Sequence, residues 1–246
     1  MSEEIKIQSH QGEYIASFER AGLEALGRKP LENAVYIIDN NVARLYEAQL
    51  NPVLSEGRVI QVEATESNKS LDQFPGYIDA LVALKVKRGQ TLIAVGGGVI
   101  QDITCFIAAT MMRGLPWIFY PTTLLAQSDS CIGSKSSINS GSVKNILGTF
   151  TPPEKVVIDV NVLDTLEKQD IFSGIGEMLK VHAIDSPESF DRISSHYEQI
   201  LAKKDVMENF IYESLLMKKK LIEIDEFDRG PRNVMNYGHS FGHSIE

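Results

Sequence analysis

The order of short buried strands and helices along the chain constrains its fold more than any other feature of the sequence. Apolar, β-rich runs predict strands at residues 34–38, 58–64, 91–95, 117–120 and 155–160. Between the second and third of these runs, Phe74, Ile78 and Leu81 recur at the spacing of one helix face. Strands that are apolar throughout and alternate with helices are typical of a parallel sheet with both faces covered. The sequence therefore predicts an α/β fold with a mainly parallel sheet.

The hydrophobic pattern changes near residue 163. Beyond that point the β-rich runs stop, and charged segments with helical periodicity continue to the C-terminus. We therefore predict an α/β domain over residues 1–162 and an all-helical domain over residues 163–246, with a cleft between them. The last residues, HSFGHSIE, lie within a predicted helix that has no capping glycine. On this basis we expect that the helical domain is incomplete.

Composition and charge argue against several classes of function. The net charge of −9 and the lack of a continuous basic run disfavour a nucleic-acid partner, since binding to a phosphate backbone needs a basic face. The three lysines of LMKKKLIEIDE precede acidic residues, so most of them are expected on a solvated helix face. The acidic N-terminus and the lack of a long apolar stretch predict a cytoplasmic protein without a membrane segment. Cys105 and Cys131 form no CxxC pair and are expected to be reduced core residues.

Three glycines, Gly96 to Gly98, follow a predicted strand and precede a predicted helix. Such a turn lets the backbone approach a phosphate closely, and the helix N-terminus adds free N–H groups and the positive end of its dipole. The pattern is GGG and not GxGxxG, so a plain tight turn is an equally good interpretation. Asp39 could accept a ribose hydroxyl or close a turn, and Asp102 could bond a cofactor or stabilise the helix dipole.

Other polar residues fit either a chemical or a structural role. His239 and His243 are four residues apart, a spacing found in metal sites and in pairs of packing histidines. Glu177 and Lys180 lie one helical turn apart, as in a functional pair or a solvated ion pair. Gly/Ser-rich loops that could bind an anion are predicted around Lys135, Lys144 and Asn145.

Six motifs occur in a fixed order along nearly the whole chain: GGGVIQD, MRGLPW, PTTLLAQSDSCIGSKSSIN, KNILGTF, GIGEMLK and NYGHSFGHSIE. Together they resemble the 3-dehydroquinate synthase family. The resemblance implies a Rossmann-like NAD-binding domain and a helical domain that binds a divalent metal, usually zinc. It also implies a homodimeric lyase of the shikimate pathway, which leads to the aromatic amino acids. The substrate would be 3-deoxy-arabino-heptulosonate 7-phosphate, a keto acid phosphate that cyclises to 3-dehydroquinate with loss of phosphate.

The resemblance further implies roles for individual residues of this sequence. NAD would be contacted by Asp39, Asn41, Glu66, Lys69, Gly97, Gly98, Asp102, Thr122, Thr123 and Lys144. The metal ligands would be Glu177, His239 and a further histidine beyond Glu246. Catalytic roles would fall on Asp129, Lys135, Lys180, Asn236 and on His243, which is then not a second metal ligand. Substrate would be held by Arg113 of a neighbouring subunit and by Lys144, Asn145, Lys218 and Arg232.

Departures from the family pattern leave other functions open. GSKSS replaces the usual GGKTG, Gln101 replaces a glycine, and His182 and Tyr237 are unusual. A sister sugar-phosphate cyclase with another substrate is therefore an alternative. The dehydroquinate reaction is favoured by the residues that the family places at the substrate carboxylate, Lys218, Arg232 and Asn236. A metal-dependent polyol dehydrogenase is disfavoured, because it has no use for a cationic pocket around a neutral polyol. From another class, a non-catalytic NAD-binding or subunit-assembly module is also an alternative.

Overall fold

A seven-stranded, mainly parallel sheet forms the N-terminal part of the protein. The computed structural model describes residues 3–237, and within them the strands are β1 (Glu4–Ser9), β2 (Gly12–Phe18), β3 (Ala34–Asp39), β4 (Val59–Val62), β5 (Thr91–Gly96), β6 (Trp117–Pro121), β7 (Lys135–Ser140), β8 (Val143–Phe150) and β9 (Lys155–Ile158). The large sheet has the order β1-β2-β9-β6-β5-β3-β4, and all its neighbouring pairs are parallel except β1 with β2. The predicted α/β fold is thereby confirmed.

The helices are α1 (Gly22–Arg28), α2 (Asn40–Leu45), α3 (Glu47–Ser55), α4 (Phe74–Ala83), α5 (Gly98–Thr110), α6 (Lys168–Asp185), α7 (Pro187–Ser195), α8 (Tyr197–Ala202) and α9 (Lys204–Ile224). Along the chain, the helices α1 to α5 lie between strands of the sheet, and α6 to α9 follow its last strand. The strands β3 and β5 are buried at nearly every position, as expected for strands covered on both faces. Within α5, the spacing of Ile100, Ile103 and Ile107 gives one buried helix face.

An antiparallel hairpin at the N-terminus was not predicted. Strands β1 and β2 pair with Ser9 opposite Gly12, and β2 then pairs in parallel with β9. In β1 the side chains alternate, so that Ile5 and Ile7 are buried while Lys6 is exposed. This period of two is the sequence signal of a half-buried strand, and it is present in the segment EIKIQS.

A second hairpin corrects the prediction that Lys135 and Lys144 lie in loops. Both residues lie on strands, because β7 and β8 form a separate two-stranded antiparallel sheet. Polar side chains conceal the strand pattern in the sequence, since Ser136 bonds the Thr149 hydroxyl at 2.8 Å instead of packing as an apolar residue. Lys135 is paired across this sheet with Phe150.

The chain after β9 is helical, as predicted, although the domain boundary at residue 162 stays a prediction. Ion pairs join α9 to the N-terminal part, with Arg20 at 2.5 Å from Asp205 and 3.0 Å from Glu208. Both cysteines are buried and unbridged, which agrees with the expected core role. Within residues 3–237, no helix combines the length and apolar character needed to cross a membrane.

Candidate active site

Three neighbouring strands of the large sheet end where a cofactor is expected. Asp39 ends β3, Gly96 ends β5, and Thr122 follows β6 with its N–H donating to the Gly96 carbonyl at 2.9 Å. The Asp39 carboxylate accepts the Asn41 N–H at 2.8 Å and so caps α2, which is the turn role considered for it. Burial raises the pKa of Asp39 above its usual value. The carboxyl ends of parallel strands are the common place for nucleotide binding in such folds.

The glycines after β5 form a cradle with one closed side and one open side. A Cβ added at Gly97 would lie 2.9 Å from the Thr123 Cγ2, so this residue must be small for the two segments to approach. A Cβ added at Gly98 would meet no described atom within 4 Å. Gly98 is also the first residue of α5, where backbone N–H groups and the helix dipole favour an anion. The geometry therefore fits a phosphate group at Gly98.

Four of the residues expected to bind NAD or substrate form one hydrogen-bonded network beside this cradle. The buried Lys69 ammonium donates to the Asp102 carboxylate at 3.1 Å and to the Asn145 side-chain oxygen at 3.0 Å, and it lies 3.3 Å from Glu66. The Ser137 N–H donates to the other Asp102 oxygen at 2.9 Å. Burial raises the pKa of Asp102, against the opposing effect of Lys69. Asn145 thus lies with the cofactor residues.

A cleft of about 250 Å³ contains most of the predicted catalytic and substrate-binding residues. It is lined by Leu125, Asp129, Lys135, Glu177, Lys180, Lys218, Asp228, Arg232, Met235 and Asn236. The three lysines are each paired with one carboxylate: Lys135 with Asp228 at 2.9 Å, Lys180 with Glu177 at 2.6 Å, and Lys218 with Asp129 at 2.8 Å. Such a ring of alternating charges can bind an anionic ligand, because each cation can exchange its carboxylate partner for the ligand.

Close packing of α6 against the segment after β6 places Glu177 and Lys180 at this cleft. A Cβ added at Gly174 would lie 2.4 Å from the Leu124 Cγ, so only glycine lets α6 approach the segment after β6 so closely. Glu177 and Lys180 then project from the next two turns of the same helix, with side chains that are each 17% exposed. Their ion pair is therefore a cleft feature, and the alternative of a fully solvated pair is wrong.

Buried basic residues from the end of the described chain close the cleft. Lys218 was grouped with lysines expected mostly on a solvated face, but its side chain is only 7% exposed and its ammonium also donates to the Asp129 carbonyl at 2.6 Å. The Arg232 guanidinium donates to the Glu226 carbonyl at 2.7 Å. A Cβ at Gly133 would lie 3.4 Å from an Arg232 nitrogen, and Gly133 has a φ of +107°. The left-handed φ favours glycine there, whereas the 3.4 Å contact alone would tolerate a Cβ.

Besides Asn145, two predicted substrate residues lie away from the cleft. Arg113 lies in a left-handed turn after α5 and lines a different cavity, of about 470 Å³, beside the turn of the N-terminal hairpin. That cavity is the larger of the two, but it contains none of the other predicted site residues. Lys144 is exposed on β8 and does not line the cleft. A role for Arg113 in a neighbouring subunit stays a prediction.

The expected metal site falls partly beyond the described residues. His239 and His243 both lie outside residues 3–237, so the predicted convergence of Glu177 with His239, and the orientation of His243, stay predictions. Within the described part of the chain, no group of three or more His, Cys, Asp or Glu side chains could hold a metal ion. Glu177 is the expected ligand that the structure describes, and its carboxylate faces the cleft.

Asp228 is a cleft residue that the sequence analysis missed. Its carboxylate pairs with Lys135, its backbone has a left-handed φ of 57°, and its Oδ1 atom is buried with no hydrogen-bond partner among the described residues. The signal was the acidic run between Lys218 and Arg232, which served only to place most of the preceding lysines on a solvated face.

Of the unusual residues, Gln101 lies on α5, and its side chain bonds the segment that leads to the cleft. Its side-chain amide donates to the Ser130 carbonyl at 2.5 Å, and the Ser130 hydroxyl donates back to Gln101 at 2.6 Å. His182 is fully buried and bonds Ser189 at 2.8 Å, and Tyr237 is 74% exposed. Gln101 therefore links the helix that bears Asp102 to the segment that bears Asp129.

Comparisons with known proteins identify the family of the chain. Family models described as 3-dehydroquinate synthase N-terminal and C-terminal match residues 59–173 and 174–246. A 3-dehydroquinate synthase of Streptococcus thermophilus is 35% identical, with 98% of this chain and 71% of the relative covered. One of Mesorhizobium japonicum is 37% identical, with 92% of this chain and 61% of the relative covered. The chain thus spans about two thirds of the length of these relatives.

A solved structure shares the fold. The 2-epi-5-epi-valiolone synthase of Streptomyces hygroscopicus, with NAD+ and Zn2+ bound, superimposes with a TM-score of 0.83 at 28% identity, covering 95% of this chain and 68% of that one. The family models together match the chain from residue 59 to residue 246, across both the cradle and the cleft. The chain belongs to the 3-dehydroquinate synthase family.

Proposed function

We propose that the protein is a 3-dehydroquinate synthase, which cyclises 3-deoxy-arabino-heptulosonate 7-phosphate to 3-dehydroquinate with loss of phosphate. The observation that supports this most is the cleft in which Lys135, Lys180, Lys218 and Arg232 converge. Its ten lining residues include four basic and three acidic side chains. A substrate with both a carboxylate and a phosphate needs cations at two places, whereas a neutral polyol needs none.

NAD fits the part of the site that lies beside the cleft. Gly97 and Gly98 would admit the pyrophosphate, and Asp39 would accept a ribose hydroxyl at the end of β3. The network of Lys69 and Asp102 would contact the rest of the cofactor, together with Glu66, Asn41, Thr122 and Thr123. When bound, NAD supplies a hydride acceptor that is regenerated within the same turnover, so the overall reaction involves no net oxidation.

The metal would be held by Glu177 together with His239, which lies outside the described residues. When bound, zinc supplies a Lewis acid for the alcohol that is oxidised. Lys180, 2.6 Å from Glu177, would orient that carboxylate, and so favour its use as a ligand. Identity of the metal as zinc rests on the family and on the zinc-bound relative.

The cleft residues would bind and orient the substrate. Arg232 can bond a carboxylate through two parallel N–H groups, while Lys135 and Lys218 act as point charges. Asp129 and Asp228 hold these two lysines in place before substrate arrives. Such preorganisation lowers the entropy cost of fixing long cationic side chains on binding. A homodimer and a cytoplasmic location stay predictions.

A sister sugar-phosphate cyclase is the second candidate, because the solved relative named above is a valiolone synthase. The deciding experiment is a phosphate-release assay on the enzyme expressed from its complete coding sequence, with NAD and zinc. We expect release from the keto acid phosphate and little release from a ketose phosphate of equal length that lacks the carboxylate. A higher kcat/KM for the substrate without the carboxylate would overturn the proposal in favour of the sister activity.

A further inference from the structure

The turn of the N-terminal hairpin lies against the loop that bears two cleft residues. The Ser9 hydroxyl donates to the Glu226 carboxylate at 2.6 Å, and the His10 N–H donates to the other carboxylate oxygen at 2.8 Å. The His10 ring nitrogen Nδ1 lies 3.0 Å from the same carboxylate. The Glu226 side chain is only 10% exposed. The two residues of this turn therefore hold a largely buried carboxylate from a distant part of the sequence.

Glu226 in turn holds the loop of residues 225–232. Its backbone carbonyl accepts the Arg232 guanidinium at 2.7 Å. The adjacent Asp225 carboxylate accepts the N–H groups of Arg229 at 2.9 Å and Gly230 at 2.7 Å, which closes the loop on itself. The loop is thus internally bonded, and Glu226 fixes it to the hairpin.

The next two residues connect the same loop to the strand that bears Lys135. The Phe227 ring lies between the rings of His10 and Phe150, with centroid distances of 5.2 and 5.0 Å. Phe150 is the cross-strand partner of Lys135, and Lys135 pairs with Asp228. Any displacement of Glu226 would therefore move Asp228 relative to Lys135.

Strand β2 supports the other side of this pair. The Gly133 N–H donates to the buried Tyr14 hydroxyl at 2.7 Å, two residues before Lys135. The hairpin thus holds the chain beside Lys135 through Tyr14, and beside Asp228 through Ser9 and His10. Residues 1–58 lie outside both matched family regions, so nothing in the comparison of those regions assigns the hairpin a role.

We propose that Ser9 and His10 are positioning residues that hold Glu226, and through it Arg232 and Asp228, in place at the cleft. The ligand of that cleft is the substrate of the proposed function, on which this part of the inference rests. Neither Ser9 nor His10 lines the cleft, so their effect is on its geometry.

The test compares the double variant Ser9→Ala/His10→Ala with wild type in the enzyme expressed from its complete coding sequence. Hydrogen exchange of the amides of residues 226–232 should be at least about tenfold faster in the double variant, while amides of β3 and β5 are unchanged. In the phosphate-release assay, KM should rise at least about fivefold, since charge-assisted hydrogen bonds fix the loop. The Kd for NAD should stay within about twofold of wild type, because the cradle is separate.

Two variants serve as controls. Gln8→Ala removes a polar side chain from the same hairpin. Among the described residues, the Gln8 side chain bonds only Glu13, at 2.7 Å and within the hairpin, so this variant should behave as wild type. The single variant His10→Asn retains a donor near the position of Nδ1. Its KM should therefore lie closer to the wild-type value than to that of the double variant.

Unchanged loop exchange in the double variant would overturn the inference, as would an equal rise in the Kd for NAD. If wild type releases no phosphate, the proposed function fails, and the exchange rates still decide whether Ser9 and His10 position the loop.

Discussion

The Lys218 ammonium lies 2.8 Å from the Asp129 carboxylate and 2.6 Å from the Asp129 carbonyl, so a single residue receives two bonds from one buried cation. Lys218 belongs to α9, and Asp129 follows β6 on the sheet side of the cleft. This pair therefore joins the helical part to the sheet part at the point where substrate is expected. Its energetic role can be separated from binding by a substitution of matched length.

Lys218→Met should destabilise the protein by about 2 kcal/mol, because the partly buried Asp129 carboxylate loses its cation. The matched control is Lys219→Met, since Lys219 on the same helix is more exposed and lies 3.7 Å from Glu223. That surface pair should contribute less than about 0.5 kcal/mol. The free energy of unfolding in urea, measured without NAD, compares the two variants. Equal effects would contradict a structural role for the buried pair.

A second prediction concerns the open side of the cradle. Gly98→Ala adds a methyl group that meets no described atom within 4 Å, so the melting temperature without NAD should not fall. The same methyl would occupy the space proposed for a phosphate, so the Kd for NAD should rise at least about tenfold. Gly76→Ala, also in open space on a helix, is the control for helix propensity. Undiminished NAD affinity in Gly98→Ala would place the pyrophosphate elsewhere.

Local patterns predict the cofactor side of the fold well. The apolar runs at residues 34–38 and 91–95 became β3 and β5, and the glycines after β5 form the expected turn into α5. These features depend on neighbouring residues only, because short local patterns of apolar residues and glycines indicate buried strands and turns. The positions of Asp39 and Gly98 at adjacent strand ends follow once the sheet is parallel.

The cleft could not be predicted in the same way, because its pairs join distant segments. Lys135 and Asp228 are 93 residues apart, and nothing local to either one indicates the other. The polar face of β7 also hid a strand, since Ser136 and Asn139 are satisfied by side-chain hydrogen bonds instead of apolar packing. Family resemblance supplied Lys135 as a site residue, but it supplied neither the hairpin nor the acid that holds it.

A third prediction uses two glycines on α6. Gly174→Ala should destabilise the protein by about 2 kcal/mol or more, because the new Cβ would lie 2.4 Å from the Leu124 Cγ and 2.8 Å from the Leu125 nitrogen. Gly176→Ala meets no described atom within 4 Å and should be neutral or stabilising by about 0.5 to 1 kcal/mol. Thermal unfolding of both variants tests this contrast. Loss of stability in Gly176→Ala alone would show that the packing face of α6 is assigned wrongly.

A fourth prediction concerns acid sensitivity. Burial lowers the pKa of His182 below its usual value of 6.5, so the folded protein takes up this proton less readily than the unfolded chain. The unfolding free energy of the protein should therefore fall as pH decreases below 6.5, by up to about 1.4 kcal/mol per pH unit, until the folded-state pKa of His182 is reached. In His182→Asn the unfolding free energy should decline less steeply below pH 6.5. Above pH 7 its dependence on pH should match that of wild type. Identical slopes between pH 5 and 6.5, from urea unfolding, would exclude His182 as the source.

The last prediction separates the two arginines of the loop of residues 225–232. Arg232 is buried in the cleft and can bond a carboxylate through two N–H groups, whereas Arg229 is exposed and stacks 5.5 Å over the Phe227 ring. Arg232→Met should lower kcat/KM for the keto acid phosphate by about 100-fold or more, or about 3 kcal/mol, because a desolvated anion loses its partner. Arg229→Met should change kcat/KM by less than about threefold, since its side chain contacts an exposed ring. A nearly unchanged kcat/KM in Arg232→Met, with the protein folded by circular dichroism, would mean that Arg232 does not bind the carboxylate. The sister substrate without that group would then become the better candidate, because its recognition would not depend on Arg232.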